Sequence, residues 1–264
     1  MIPTFSLRTL LLSVMLFSIV LALIYPAVLQ IREASHRTQC SNQMRQLLLG
    51  MINYESGHGH LPIGIETTPD GRSFRSWRTC IKPHLESAMQ HYDPNLAWDS
   101  VKNARICDGS VVTGFDPKGG CTYSVVLDSC PHYFWCCPSD STARMNYAVI
   151  VGNETAFPLN RPVKLGEVTD GLEDTILIVE TLSGSPKWIE PRDLKFDTMS
   201  FKVNGSENGE LASMHSAGVN VGFADGKCFF LTSDITVDKL KALLTISGGE
   251  SITRKELLER GVLN

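Results

Sequence analysis

Between Thr9 and Gln30 the chain carries no charged side chain, and the twenty residues from Leu10 to Leu29 read LLLSVMLFSIVLALIYPAVL. At ~1.5 Å per residue a helix of that length spans ~30 Å, the thickness of a bilayer's hydrocarbon layer. A segment this apolar cannot be left in water, so it dictates how the remaining chain is placed. A cleaved signal peptide is the main rival reading, with Arg8 as its basic flank, but the apolar run is too long and no small-x-small cleavage site follows. Pro26 is expected to kink the helix near its far end. Beyond Gln30, apolar residues recur at Ile31, Ala34, Met44, Leu47, Leu48, Met51 and Ile52, a helical spacing that reaches about Tyr54. Gly50 weakens that stretch by about 1 kcal/mol relative to alanine. The expected organisation is a short cytoplasmic N-terminus (1–9), a transmembrane helix (10–29), the same helix continuing out of the membrane (30–56), and an extracytoplasmic α+β domain (57–264).

Composition narrows the function classes. Apolar residues make up 43% and charged residues 20%, with a formal net charge of −4, so no basic field exists to grip nucleic acid. All eight cysteines (Cys40, Cys80, Cys107, Cys121, Cys130, Cys136, Cys137 and Cys228) follow the apolar segment. An even number on one side of an anchor fits disulfides in an oxidising compartment, with the pairing left open. Adjacent Cys136 and Cys137 are expected to reach different partners. The charges flanking the anchor lean the other way: Arg32, Arg37 and Arg45, offset by Glu33, follow it, and only Arg8 and the terminal amine precede it. Cysteine placement outweighs that count.

Along the ectodomain, the GHGHLP sequence from Gly57 to Pro62 ends the long helix. Trp77 to His91 has helical spacing that Pro83 interrupts, and residues 107–143 read as an irregular, cysteine-rich insertion containing a short apolar run from Tyr123 to Leu127. Met145–Val151, Thr175–Thr181 and Val219–Leu231 have strand composition, while Asp238–Leu244 and Arg254–Arg260 predict short helices, the second N-capped by Thr253. The fold class expected is α+β, a long N-terminal helix laid across an antiparallel sheet.

Candidate chemistry is sparse. No nucleophile elbow, phosphate loop, zinc-protease helix or dinucleotide fingerprint occurs. His132 with the cysteines of CPHYFWCC (130–137) could form a soft-metal site, but the run lacks a C-x2-C pair and suits a packed loop better. His58 and His60, the loop oxygens of Asp93, Asn95 and Asp99, and those of Asp170, Glu173 and Asp174 are read as turn formers. Asn153 and Asn204 open glycosylation-type triplets. No catalytic residue, metal ligand or cofactor is assigned. Asp225-Gly226 is read as a two-residue hairpin turn pairing Phe223 with Cys228 and Val221 with Phe230 on one face. That hairpin would hold His215 far from Asp225 and leave both with structural roles, His215 tying the entering loop to backbone groups.

Four blocks carry a family resemblance: PAVLQIREASHRTQCSNQMRQLLLGMINYESGHGHLPIG from Pro26, CCPSDSTARMNYAVIVGNETAFP from Cys136, EVTDGLEDTILIVE from Glu167 with WIEPRDL from Trp188, and MHSAGVNVGFADGKCFFLTSDI from Met214. In order and spacing, with His215 followed nine residues later by Asp225-Gly226, they resemble the planctomycete family called domain of unknown function 1559, whose members have a type IV prepilin-like N-terminus. The resemblance implies a pseudopilin-like architecture at the cell surface. It departs at the start, where Thr4 replaces the glycine before the prepilin cut, Phe5 opens the mature helix and Thr9 replaces its glutamate. The chain is therefore expected to stay uncut and out of filaments. The functional expectation is a non-enzymatic, membrane-anchored envelope protein. It would be held by the lipid bilayer and meet envelope proteins or surface glycan. The alternative is a small-molecule or glycan-binding module using Trp77, Trp98, Trp135 and Trp188 as stacking surfaces.

Overall fold

The computed structural model describes residues 7–85, 92–104, 111–114, 123–126, 135–142, 144–184, 187–205, 210–250 and 252–264. Thr4, Phe5, Cys107, Cys121, Cys130 and His132 lie outside them. The fold is α+β. Helix α1, Leu7–His58, is a single element of 52 residues, and Pro26 lies inside it without ending it. Every residue from Leu7 to Ser35 is exposed, whereas Cys40, Gln43, Met44, Leu47, Leu48, Gly50 and Met51 are buried. Those inward positions recur every three or four residues, so the second half of the helix turns one stripe onto the domain. Gly59, with φ +74°, follows its C-terminus.

The strands are β1 (Ile65–Thr67), β2 (Ser73–Ser76), β3 (Val111–Gly114), β4 (Tyr123–Val126), β5 (Tyr147–Ala148), β6 (Ile150–Val151), β7 (Ile176–Glu180), β8 (Leu194–Lys195), β9 (Gly218–Phe223) and β10 (Cys228–Thr232). The main sheet is antiparallel with the order β10-β9-β7-β5; β1 pairs with β2, β3 with β4, and β6 runs parallel to β8. Short helices α2 (Trp77–Ile81), α3 (Val101–Ala104), α4 (Val237–Leu244) and α5 (Arg254–Glu259) complete the domain. The Thr253 hydroxyl accepts the Glu256 N–H at 3.3 Å, the expected N-cap. Of the helical spacing expected over Trp77–His91, α2 ends at Ile81 and a 3-10 turn follows at Lys82–His84 with Pro83 in its first positions, where a backbone donor is lacking; residues 86–91 lie outside the described residues. Within the expected irregular insertion, β3 and β4 form a regular antiparallel pair.

The sheet has a core on each face. Met44, Leu47, Leu48 and Met51 of α1 join Trp77, Trp135, Trp188, Tyr147 and Ile178 on one side. Val219, Val221, Phe223, Leu231, Leu240, Leu243 and Leu257 fill the other. Arg78 and Asp193 are both buried and paired at 2.9 Å, and Asp193 also accepts the Trp77 indole N–H and the Val149 N–H.

The β9–β10 register departs from the two-residue turn. Phe229 faces Val221, Phe230 faces Asn220, and Cys228 faces Gly222. The Phe223 N–H bonds Lys227 O and the Gly226 N–H bonds Phe223 O, so Ala224, Asp225 and Gly226 form a three-residue loop with Gly226 at φ +83°. A one-residue shift of register exchanges faces. Phe229 and Leu231 consequently join Val219 and Val221 in one core, while Cys228 belongs to the core on the α1 side.

Candidate functional site: a buried Cys, Cys, Glu and His cluster

Four ionisable side chains from four parts of the chain meet under the point where α1 enters the domain. Cys40 lies on the buried stripe of α1, one turn before Met44. Cys137 lies in the segment between Trp135 and β5, its N–H bonded to Asn146 Oδ1 at 2.7 Å. Glu180 ends β7, and His215 lies in the loop entering β9. One possible ligand atom from each falls within 4.8 Å of all the others, and all four residues are buried. The Cys40 thiol points at Cys137 Sγ at 3.0 Å, and His215 Nε2 stands 3.7 Å from Cys137 Sγ and 3.9 Å from Glu180 Oε1.

A second layer holds these groups. His215 Nδ1 bonds the Glu33 carboxylate, which is half exposed on α1. Glu180 accepts the Asn220 N–H at 2.8 Å and the Asn220 side-chain amide at 3.0 Å. Tyr147 donates its hydroxyl to Gln43 Oε1 at 2.7 Å beside Cys40. The Asn204 amide donates to the carbonyls of His215 and Gly218 at 3.0 and 3.2 Å, fixing the loop that presents the imidazole. The loop-tying role expected of His215 thus belongs to Asn204, and the imidazole faces the cluster.

The electrostatics are strongly coupled. The hydrogen bond from Cys40 pulls the Cys137 thiol down to about 5, assisted by His215 against the opposing effect of burial. Giving that bond keeps the Cys40 proton in place, and burial adds to the upward shift. Burial raises Glu180 to about 7 although Asn220 and His215 oppose it. Burial alone would lower His215, but Cys137, Glu33 and Glu180 hold it up at about 9. Each acidic neighbour thus favours a proton on the imidazole, and burial disfavours charge on Glu180.

Other candidates settle differently. Cys40, Cys80, Cys137 and Cys228 are free thiols, so none of the expected disulfides joins these four described cysteines. Burial pushes Cys80 up to about 11 and Cys136 and Cys228 up to about 12. His58 bonds Tyr54 O and stacks on Tyr54, while His60 bonds Leu61 O. Asp93 pairs with Lys102 and accepts the Asn95 N–H; Asp170 accepts the N–H groups of Gly248 and Gly249, and Asp174 that of Arg254. These are turn and loop roles. Trp77, Trp135 and Trp188 pack edge-on and face-on against one another inside the core, so they offer no stacking surface to a glycan. His215 and Asp225 share no hydrogen bond or ion pair; Asp225 accepts the Lys227 N–H at 3.1 Å and pairs with Arg254 at 2.8 Å.

No short motif joins positions 40, 137, 180 and 215, so spacing could not reveal this cluster. The signals were local: a cysteine in register with an apolar helical stripe, and an acid closing the wholly buried strand ILIVE.

The class defined by this architecture is an α+β domain assembled on the continuation of an exposed, apolar N-terminal helix. Residues 30–207 match the family described as "Protein of unknown function (DUF1559)", and the chain belongs to that family. No curated protein and no solved structure matches it.

Proposed function

We propose that the chain is a single-pass, membrane-anchored envelope protein whose domain stands outside the cytoplasm and acts through protein contacts rather than catalysis. The observation that carries this reading is the division of α1: an apolar first half that is exposed throughout among the described residues, continuous with a second half that belongs to the domain core. An anchor of this kind holds the domain at a fixed height above the bilayer. The charges after the anchor weigh less than a plain count suggests. Arg37 lies over the Phe230 ring at 4.6 Å, and Arg45 is about 24 Å beyond Leu29 along the helix. Both therefore belong to the domain surface.

The non-catalytic reading rests on access. Cys137, His215 and Glu33 follow the order of nucleophile, base and orienting acid. However, Cys137 is only 3% exposed. Neither of two clefts beside Glu33, of about 420 and 360 Å³, is lined by Cys137 or Cys40. A substrate in either cleft would not reach the sulfur.

The test is alkaline extraction of native membranes followed by intact-mass measurement. The expected result is the uncut chain in the membrane pellet. Recovery in the wash would refute the anchor, and an N-terminus at Phe5 would refute the uncut chain.

A further inference from the structure

We propose that Cys40, Cys137, Glu180 and His215 are the four ligands of one transition-metal ion of the zinc class, and that this ion clamps the membrane-proximal helix to the sheet.

The donor set points to that class. Two thiolates with an imidazole and a carboxylate suit zinc and its neighbours, whereas calcium and magnesium take oxygen ligands. The size also fits. Zinc–sulfur bonds of ~2.3 Å and zinc–nitrogen bonds of ~2.0 Å put neighbouring ligand atoms ~3.3–3.8 Å apart in a tetrahedron. His215 Nε2 already lies 3.7 Å from Cys137 Sγ and 3.9 Å from Glu180 Oε1. The two sulfurs, at 3.0 Å, would need to part by less than 1 Å.

The outer partners are those a metal site needs. A metal-bound histidine commonly gives its other ring N–H to a carboxylate, which fixes the tautomer. Here Nδ1 faces Glu33 while Nε2 faces the cluster. Asn220 holds the Glu180 carboxylate from its backbone and its side chain. Burying two thiolates and a carboxylate would leave three negative charges; a bound dication reduces them to one. Four protein ligands close the coordination sphere, which marks a structural ion and leaves no open position for a substrate. Ligands from α1, the 135–142 segment, β7 and the loop before β9 would tie the anchor's continuation to three parts of the domain. A Cys40–Cys137 disulfide would use the two sulfurs but leave Glu180, His215 and Glu33 buried or aligned without a reason.

The experiment uses the full-length chain purified in detergent without chelators. Metal analysis should return one zinc-class ion per chain. After chelation under reducing conditions, cobalt(II) titration should restore one equivalent with thiolate-to-cobalt charge transfer and intense tetrahedral visible bands. Cys137→Ser and His215→Ala should abolish that spectrum. Glu33→Gln, changing a half-exposed side chain outside the coordination sphere, should keep the stoichiometry and weaken affinity about 10–100-fold. Cys80→Ser should bind as the unaltered chain does. Absence of a stoichiometric ion together with no cobalt–thiolate band would overturn the proposal. So would unchanged affinity in Glu33→Gln, or a Cys40–Cys137 disulfide in protein alkylated inside cells and mapped without reduction. Should a ligand variant fail to fold, the cobalt spectrum of the unaltered chain and the Glu33→Gln affinity still decide.

Discussion

Asp225 and Gly226 illustrate how two neighbouring residues can be essential to a fold for unrelated reasons. Gly226 sits at φ +83°, and a Cβ there would meet Ile52 Cδ1 at 3.2 Å, so a β-branched side chain would be strained in its backbone and crowded against α1. Asp225 shapes the same turn through the Lys227 N–H and is also an ionic partner of Arg254, whose side chain is 7% exposed and whose guanidinium lies over the rings of Phe223 and Phe229. Among the described residues, removing that carboxylate leaves a nearly buried cation with the exposed Glu173 as its remaining ionic partner. Gly226→Val and Asp225→Ala are each expected to lower unfolding free energy by about 1–3 kcal/mol, the aspartate change no less than the glycine change. Thermal and denaturant melts check this; an unaltered melting temperature in Asp225→Ala would contradict the Arg254 role. From the dipeptide alone the turn was legible, but its length was not. Two- and three-residue loops both use glycine at positive φ, and only packing on the two faces of β9 selects the register.

At the scale of elements, the decisive contact is α1 against β9. Gly222 allows it, because a Cβ there would lie 2.7 Å from Leu48 Cδ1 and 3.2 Å from Met44 Sδ. Gly222→Val should drive the helix off the sheet and cost about 1–3 kcal/mol, as overpacking does. The check is a melt of this variant beside Gly222→Ala, which should fall between it and the unaltered chain; equal stability of all three would show that the helix does not pack as described. The long helix was legible because its apolar run and its inward stripe are both continuous in sequence. So were β7, β9, β10, α4 and α5, each bounded by turn residues. The insertion was only half legible, since β3 and β4 are too short to give a period. The cluster of Cys40, Cys137, Glu180 and His215 was not legible as a unit. Tertiary folding alone brings together a helix, a strand end and two loops, and all four residues had been read for other purposes or passed over.

For the whole molecule, the proposed topology has an apolar helix fixing the domain on the outer side of a membrane. The five described thiols are poor reporters of that topology, because four are buried and Cys80, Cys136 and Cys228 have thiols pushed up to about 11 or 12. An exposed position far from the cluster serves better. Ser233, in the turn after β10, is exposed, and cysteine replaces its side chain with little change of shape. Intact cells expressing Ser233→Cys and the unaltered chain should be treated with a membrane-impermeant maleimide, with and without prior lysis. Rapid labelling of Ser233→Cys is expected on intact cells, to the same extent as after lysis and above the unaltered chain. Protection of that cysteine until lysis would place the domain in the cytoplasm and overturn the proposed topology.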